Sequence, residues 1–330
     1  MSITIKDIAK VAGVSYSTVS KALNNSPLVK EVTKRKIIQV AEEMGYEPNL
    51  AAKQLVRKKT EVIGLLWPTI ERIVLATLVT NISKAFEATP YSMILSVDQP
   101  ETAIETFKKF QVDGMIVFEE STSSPITQEN IPMVAYGVSE KRTFSYPIID
   151  ANHEKAMQHA VQYLYELGHR NIAYIGLHET DDVLQLEKVE GYTKAMKQHG
   201  LTGHTQIIDA GGLNWFDGYS AVKEIFHQQQ QPTAIIGGSY DISGGILRAL
   251  QEKNLEIPKD ISLISYDNIP QMETLEVPMT CIGVPVDLLA EEIVHAIIEQ
   301  IESKEEKNLV KKLSPILTER ESSGPAPKKK

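Results

Sequence analysis

Residues 4–27 read TIKDIAKVAGVSYSTVSKALNNSP, and this stretch decides the fold of the first part of the chain. Thr4 offers an N-cap hydroxyl with the carboxylate of Asp7 three residues on, and Ile8, Ala9, Val11 and Ala12 then form an apolar stripe ending at Gly13. Ser15 stands where a second helix would be capped; Val19, Ala22 and Leu23 supply its apolar positions, and the run Asn24, Asn25, Ser26, Pro27 stops it. A third helix is expected from about Glu31, with Val32, Ile37, Val40, Ala41 and Met44 at helical spacing and Gly45 as its stop. Between Ile5 and Asn24 the spacing fits a helix-turn-helix: Ala9 is small where two helices approach, Gly13 sits where the turn needs positive φ, and Val19 points back into the core. The second helix then presents Tyr16, Ser17 and Lys21 outward, and the first residues of such a helix are those that reach base edges in the major groove. A lysine can donate to guanine O6 or N7, a serine is permissive, and a tyrosine can meet a base edge or the backbone.

The alternative is an ordinary three-helix bundle with polar residues outside, and charge distribution argues against it. The net charge is −9, yet residues 1–60 hold 11 Lys+Arg against 5 Asp+Glu, or +6, leaving 23 against 38, or −15, for the rest. A small basic module joined to a large acidic body is the electrostatic pattern of a DNA-binding headpiece on a body that DNA repels.

From Glu61 onward short apolar runs alternate with amphipathic stretches, from Val62–Leu66 and Ile73–Phe86 to residues 286–301. Such alternation implies an α/β body of parallel sheets with helices on both faces, too long for one modest sheet, with ligands held beyond the carboxyl ends of the strands. Cys281 lies in an apolar stretch and reads as a buried small hydrophobe; a single cysteine excludes a disulfide or a cysteine-based metal site within one chain. The start, MSITIKDIAK, carries charges where an export signal needs an apolar core, and no run reaches about 18 uninterrupted apolar residues, so a cytoplasmic protein with no membrane partner is expected.

An enzyme is the first rival for an alternating α/β chain. The sequence has no GxSxG elbow, no phosphate-loop motif, no GxGxxG after the first strand and no His/Glu pair at zinc spacing. His153, His159, His169, His199 and His204 are dispersed, which suggests surface or capping roles. No catalytic residue, metal or cofactor is therefore assigned. A periplasmic sugar-binding protein is the second rival, but a basic helix-turn-helix has no use there.

The opening stretch resembles the headpiece of the lactose-repressor/galactose-repressor family of transcription regulators. The likeness continues through Thr33 to Ile37, Gly45 to Asn49 and Ala51 to Leu55, then through Glu166 to Ala173, the triplet Glu190, Gly191, Tyr192, and Ile257 to Asp267. It implies a repressor that binds a palindromic double-stranded DNA operator as a homodimer, with Tyr16, Ser17 and Lys21 reading bases and Thr4, Ser15, Thr18 and Asn24 fixing phosphates. Lys21 departs from the family's usual arginine and cannot form the same planar fork. Residues 49–57 correspond to the family's hinge helix, so Asn49 and Lys53 join the DNA contacts and Leu55 becomes the wedge that kinks the minor groove.

The resemblance further implies a two-lobed, periplasmic-binding-protein-like core holding a sugar, sugar acid or sugar phosphate in its cleft. Asp267 matches the effector-binding aspartate, Lys188 stands for an arginine, Ser239 for an asparagine, and Trp215 lies near an aromatic that stacks on sugar rings. The expected organisation is a headpiece at 1–47, a hinge at 48–59 and a core at 60–320. Within the core, lobe 1 spans 61–157 plus 285–313 and lobe 2 spans 158–284 plus 314–320. A disordered Ser/Gly/Pro/Lys-rich tail is expected at 321–330.

Overall fold

A computed structural model of the protein describes residues 3–46, 59–119, 131–138, 146–226, 231–303 and 310–328. The chain separates into two units, Met1–Thr60 and Glu61–Lys330. The first holds helices α1 (Ile5–Ala12), α2 (Tyr16–Leu23) and α3 (Glu31–Glu43). At the start of α1 the backbone N–H and hydroxyl of Thr4 both donate to Asp7 Oδ2, at 2.9 and 2.6 Å, and Gly13 ends the helix at φ 70°. Lys36 of α3 donates to the free carbonyl of Ala12 at 3.1 Å. Ile8, Ala12, Val19, Ala22, Ile37 and Ala41 meet in one small core. Val11 and Val32, read from the sequence as part of the apolar stripes, are instead 60% and 83% exposed. Helical spacing alone does not fix how wide a stripe the neighbouring helices cover.

The second unit is built on two six-stranded sheets. The first has order β11-β5-β4-β3-β1-β2, from β1 (Val62–Leu66), β2 (Ser92–Ser96), β3 (Gly114–Phe118), β4 (Met133–Tyr136), β5 (Ile148–Asp150) and β11 (Val310–Lys312), all parallel. The second has order β12-β10-β9-β8-β6-β7, from β6 (Ile172–Gly176), β7 (Gln206–Asp209), β8 (Ala234–Gly237), β9 (Ser262–Asn268), β10 (Thr280–Pro285) and β12 (Ile316–Thr318). Only β12 runs antiparallel, against β10. The central strands are continuous apolar runs because helices cover both faces, as parallel sheets require. Those helices are α4 (Ile73–Phe86) and α5 (Pro100–Phe110) on the first lobe, and α6 (His153–Glu166), α7 (Val183–Gln198), α8 (Trp215–Ile225) and α9 (Tyr240–Glu252) on the second. α10 (Val286–Glu302) returns to the first lobe to pack on α4.

Three crossovers join the lobes: after β5, between β10 and α10, and between β11 and β12. The first falls at residues 151–152, where Asn152 turns the chain at φ 55°, not at residue 157. The buried face of α6, Ala156, Met157, Ala160, Val161 and Leu164, packs on second-lobe strands, so the whole helix belongs there. Gly191 in α7 lets α6 approach: a Cβ at that position would stand 2.3 Å from the Glu154 carbonyl oxygen.

The disordered tail expected from residue 321 is corrected in its first half. Ser322 is fully buried, its hydroxyl accepting from Thr280 N at 2.8 Å and donating to Leu263 O. Ala326 N donates to Leu167 O at 2.9 Å. Small polar residues can fill gaps at a sheet edge when backbone groups there still need partners, and composition does not reveal that need. His169 is part of the same arrangement and is buried, as is His153, so neither has the surface role read from the sequence. His169 Nε2 donates to Gly324 O at 3.0 Å, which leaves Nδ1 to accept from Thr233 Oγ1 at 2.8 Å.

Candidate functional site

The first site lies on α2. Val19 and Ala22 face the core, so Tyr16, Ser17 and Lys21 emerge on the solvent side, Ser17 and Lys21 one turn apart. Ser15 organises the start of this helix: its Oγ accepts from Thr18 N at 3.2 Å and lies 2.9 Å from Ser17 Oγ and 2.8 Å from Thr18 Oγ1. Hydroxyls thus cluster where the helix N–H groups and dipole favour an anion. Thr4 is exposed at the start of α1, and its two bonds hold the Asp7 carboxyl below the usual carboxylate range. Asn24 is exposed at the end of α2 with its amide donating to Ser20 O at 2.9 Å. Asn49, Lys53 and Leu55 lie outside the described residues.

The second site is a cavity between the two lobes of the body, with about 630 Å³ of atom-free space, its open mouth included. Lobe 1 contributes Arg72, just ahead of α4, with Phe118 and Tyr136; lobe 2 contributes Asp182, Lys188, Tyr266 and Asp267. His153, the first residue of α6, lines it beside the first crossover. Asp267 sits at the carboxyl end of β9 at φ 84°, a left-handed conformation that costs a non-glycine residue energy. Its Oδ2 accepts from Tyr240 N at 2.9 Å. Asp182 caps α7 through Oδ1, which accepts from Leu184 N and Gln185 N at 2.9 and 3.3 Å.

Lys188 is the unusual group. Only 3% exposed, it donates to Gly238 O at 2.9 Å and Gln185 Oε1 at 3.2 Å, with Nζ 4.0 Å from the Tyr266 ring centroid. All three partners are uncharged, and among the described residues it makes no ion pair. Burial lowers its pKa to about 8, against the attraction of Asp267 and with help from Arg72. His153 Nδ1 lies 2.5 Å from Tyr266 Oη, while Nε2 has no partner; burial first, then the Lys188 charge, hold the ring neutral. Arg72 Nε is likewise buried and unpartnered.

Of the four residues assigned to the effector from the sequence, the structure brings Lys188 and Asp267 to the cavity and leaves two outside its lining. Ser239 is buried, and its hydroxyl caps α9 by accepting from Ile242 N at 3.3 Å. Trp215 starts α8, 44% exposed, stacked on Tyr219 at 5.5 Å between centroids. Arg72, Asp182, His153 and Tyr266 were missed. All four follow a strand end or sit on a strand, where the rule for open α/β sheets directs attention: Arg72 comes after β1, His153 after β5 and Asp182 after β6, while Tyr266 lies on β9.

A helix-turn-helix headpiece with a polar outer face, joined to a two-lobed α/β body with a polar cavity between its lobes, defines the class of DNA-binding regulators. Comparison with known proteins places it further. Residues 4–49 match bacterial regulatory proteins of the lacI family, and residues 161–323 match a periplasmic binding protein-like domain. The chain is 31% identical to Catabolite control protein A of Priestia megaterium over 299 residues, 86% of this chain and 90% of that one. It is 32% identical over 324 residues to the probable HTH-type transcriptional repressor ExuR of Bacillus subtilis, covering 93% and 95% of the two chains. The lac repressor dimer bound to operator and the anti-inducer ONPF shares the fold at a TM-score of 0.85 and 22% identity, over 98% of this chain and all of that one. The chain belongs to the lacI family of bacterial regulatory proteins and is a DNA-binding transcriptional repressor. No helix among the described residues is long and apolar enough to cross a membrane.

Proposed function

We propose that the protein represses transcription from a pseudo-palindromic operator as a homodimer, in the cytoplasm, under the control of a small carbohydrate-type effector held between its lobes. The observation that carries the effector half is the cavity itself: Lys188, Asp267 and Arg72 come from two lobes joined only by three crossovers, so a molecule touching all three would couple their relative positions. A protein of the same fold supports this reading: the transcriptional regulator CelR, similar at a TM-score of 0.68, forms a complex with cellobiose. For the DNA half, Tyr16, Ser17 and Lys21 read the major groove while Thr4, Ser15, Thr18 and Asn24 engage phosphates. Asn49 and Lys53 add backbone contacts and Leu55 wedges into a deformable central step. Residues 1–47, 48–59 and 60–320 act as reader, hinge and sensor.

Selection of bound sites from random DNA tests the operator half. The expected consensus is two inverted half-sites about a flexible centre; a non-palindromic consensus contradicts the dimer. On the selected site Leu55→Ala should reduce the DNA bend and weaken specific binding while salt-sensitive binding to random DNA stays nearly constant. Equal losses on both DNAs would remove the wedge assignment.

A further inference from the structure

The inter-lobe cavity is lined by nitrogens that lack a hydrogen-bond partner or a counter-ion among the described residues. The two lining carboxylates, Asp182 and Asp267, already accept from backbone amides. Among the described residues, the lining polar atoms buried without a partner are two nitrogens, Arg72 Nε and His153 Nε2, and His153 is only 2% exposed. Lys188 has three donors and spends them on neutral oxygens and a ring face. A buried ammonium is strongly disfavoured unless an opposite charge approaches it, and Arg72 from the opposite lobe adds to the opposition.

We propose that the effector is a small polyhydroxylated carboxylate, its carboxylate held by Lys188 and Arg72 across the lobes and a hydroxyl held by His153 Nε2. The proposal deepens the effector reading above and rests on it. The carboxylate supplies acceptors to the surplus donors and gives Lys188 the counter-ion it lacks; the spare lone pairs of Asp182 and Asp267 receive ligand hydroxyls. Phe118, Tyr136 and Tyr266 offer ring faces and edges to the apolar side of a sugar. Two cations and two carboxylates line the cavity, so one added negative charge fits better than the two of a phosphate ester.

Protonation of Lys188 then becomes part of binding. The groups facing it are Tyr266 and Asp267 on β9, Arg72 ahead of α4, Asp182 at the cap of α7 and Gln185 on it, His153 on α6 and Tyr136 on β4. His153 and the tyrosines stay neutral around pH 8, because burial lowers the first and raises the others. With the lysine pKa at about 8, its charged fraction falls about tenfold between pH 7 and 9, and affinity for a carboxylate falls with it.

The test uses the full-length protein and matched probes: glucose, gluconate, glucuronate and glucose 6-phosphate, with the galactose series beside them, by thermal shift at pH 7 and then calorimetry at pH 7 and 9. At least one carboxylate should raise the melting temperature with concentration while its neutral counterpart does not, and should bind about tenfold more weakly at pH 9. Lys188→Met should lose that binding at both pH values, and Lys188→Arg should keep it at pH 9, which separates a charge contact from a folding defect. A neutral sugar or a phosphate ester as the best ligand, silence from every acid, or undiminished carboxylate binding by Lys188→Met would overturn the proposal. Operator affinity measured with each bound probe keeps the two readings apart. A neutral sugar that alters it contradicts only the carboxylate, whereas a carboxylate that binds without altering it contradicts only the effector role.

Discussion

The headpiece and the body use lysine in opposite ways. Lys21 stands exposed on the solvent side of α2, and its position follows from Val19 and Ala22 alone. Lys188 is packed beneath the cavity with its charge against neutral dipoles and an aromatic ring. The first arrangement costs the fold nothing and keeps long-range attraction for DNA; the second strains the fold until a partner arrives. A surface that reads a polyanion is charged before contact, while a cavity for one small molecule can store its charge under cover.

The sharpest way to break this contrast is stability against pH. Between pH 8 and 10.5 the unfolded chain keeps the Lys188 proton while the folded one releases it, so the unfolded state binds more protons and stability rises with pH across that window. The drop from 10.5 to about 8 corresponds to about 3 kcal/mol over the full range. Denaturant unfolding of the wild type without ligand should show that rise relative to Lys188→Met measured alongside. Parallel curves would mean that Lys188 is no buried cation.

A smaller effect is expected from the exposed lysine. Lys21→Ala should cost about 1 to 3 kcal/mol on the selected operator, relax preference at one symmetric pair of positions, and leave thermal stability unchanged. A loss spread evenly over all positions in competition assays would make Lys21 a phosphate anchor. The smallest effect concerns the frame beneath it. Ser15→Ala removes the cap of α2 and should lower headpiece stability by about 1 kcal/mol, read from amide exchange in residues 16–23.

The headpiece was almost wholly legible in the sequence because its signals are local: a capping carboxylate three residues on, a glycine in the left-handed region, apolar positions at helical spacing. The major strands and helices of the body were legible for the same reason. β5, β7, β11 and β12 were not: β5 and β12 are three residues long, β7 begins and ends on the polar Gln206 and Asp209, and the exposed Val310, Lys311 and Lys312 carry no apolar signature. At the cavity the motif residues Asp267 and Lys188 were found, since they lie inside or beside recognisable runs. Arg72 and His153 were not: both follow strand ends, but which strand-end residues of the two lobes meet across one cavity is decided by tertiary packing. Ser239 and Trp215 were assigned by position, yet the hydroxyl of one caps a helix and the ring of the other stacks on Tyr219. Register within a resemblance fixes the backbone more firmly than it fixes side-chain direction.

The most direct test of the central claim, that DNA reading on α2 answers to a molecule bound between the lobes, is operator affinity of the full chain as the probes are titrated at pH 7. The account predicts that a probe which binds the wild type shifts its operator affinity at least fivefold in one direction, a coupling of about 1 kcal/mol, and that Lys188→Met binds the operator normally but no longer responds. An affinity that stays constant while the same probe saturates the cavity would contradict it.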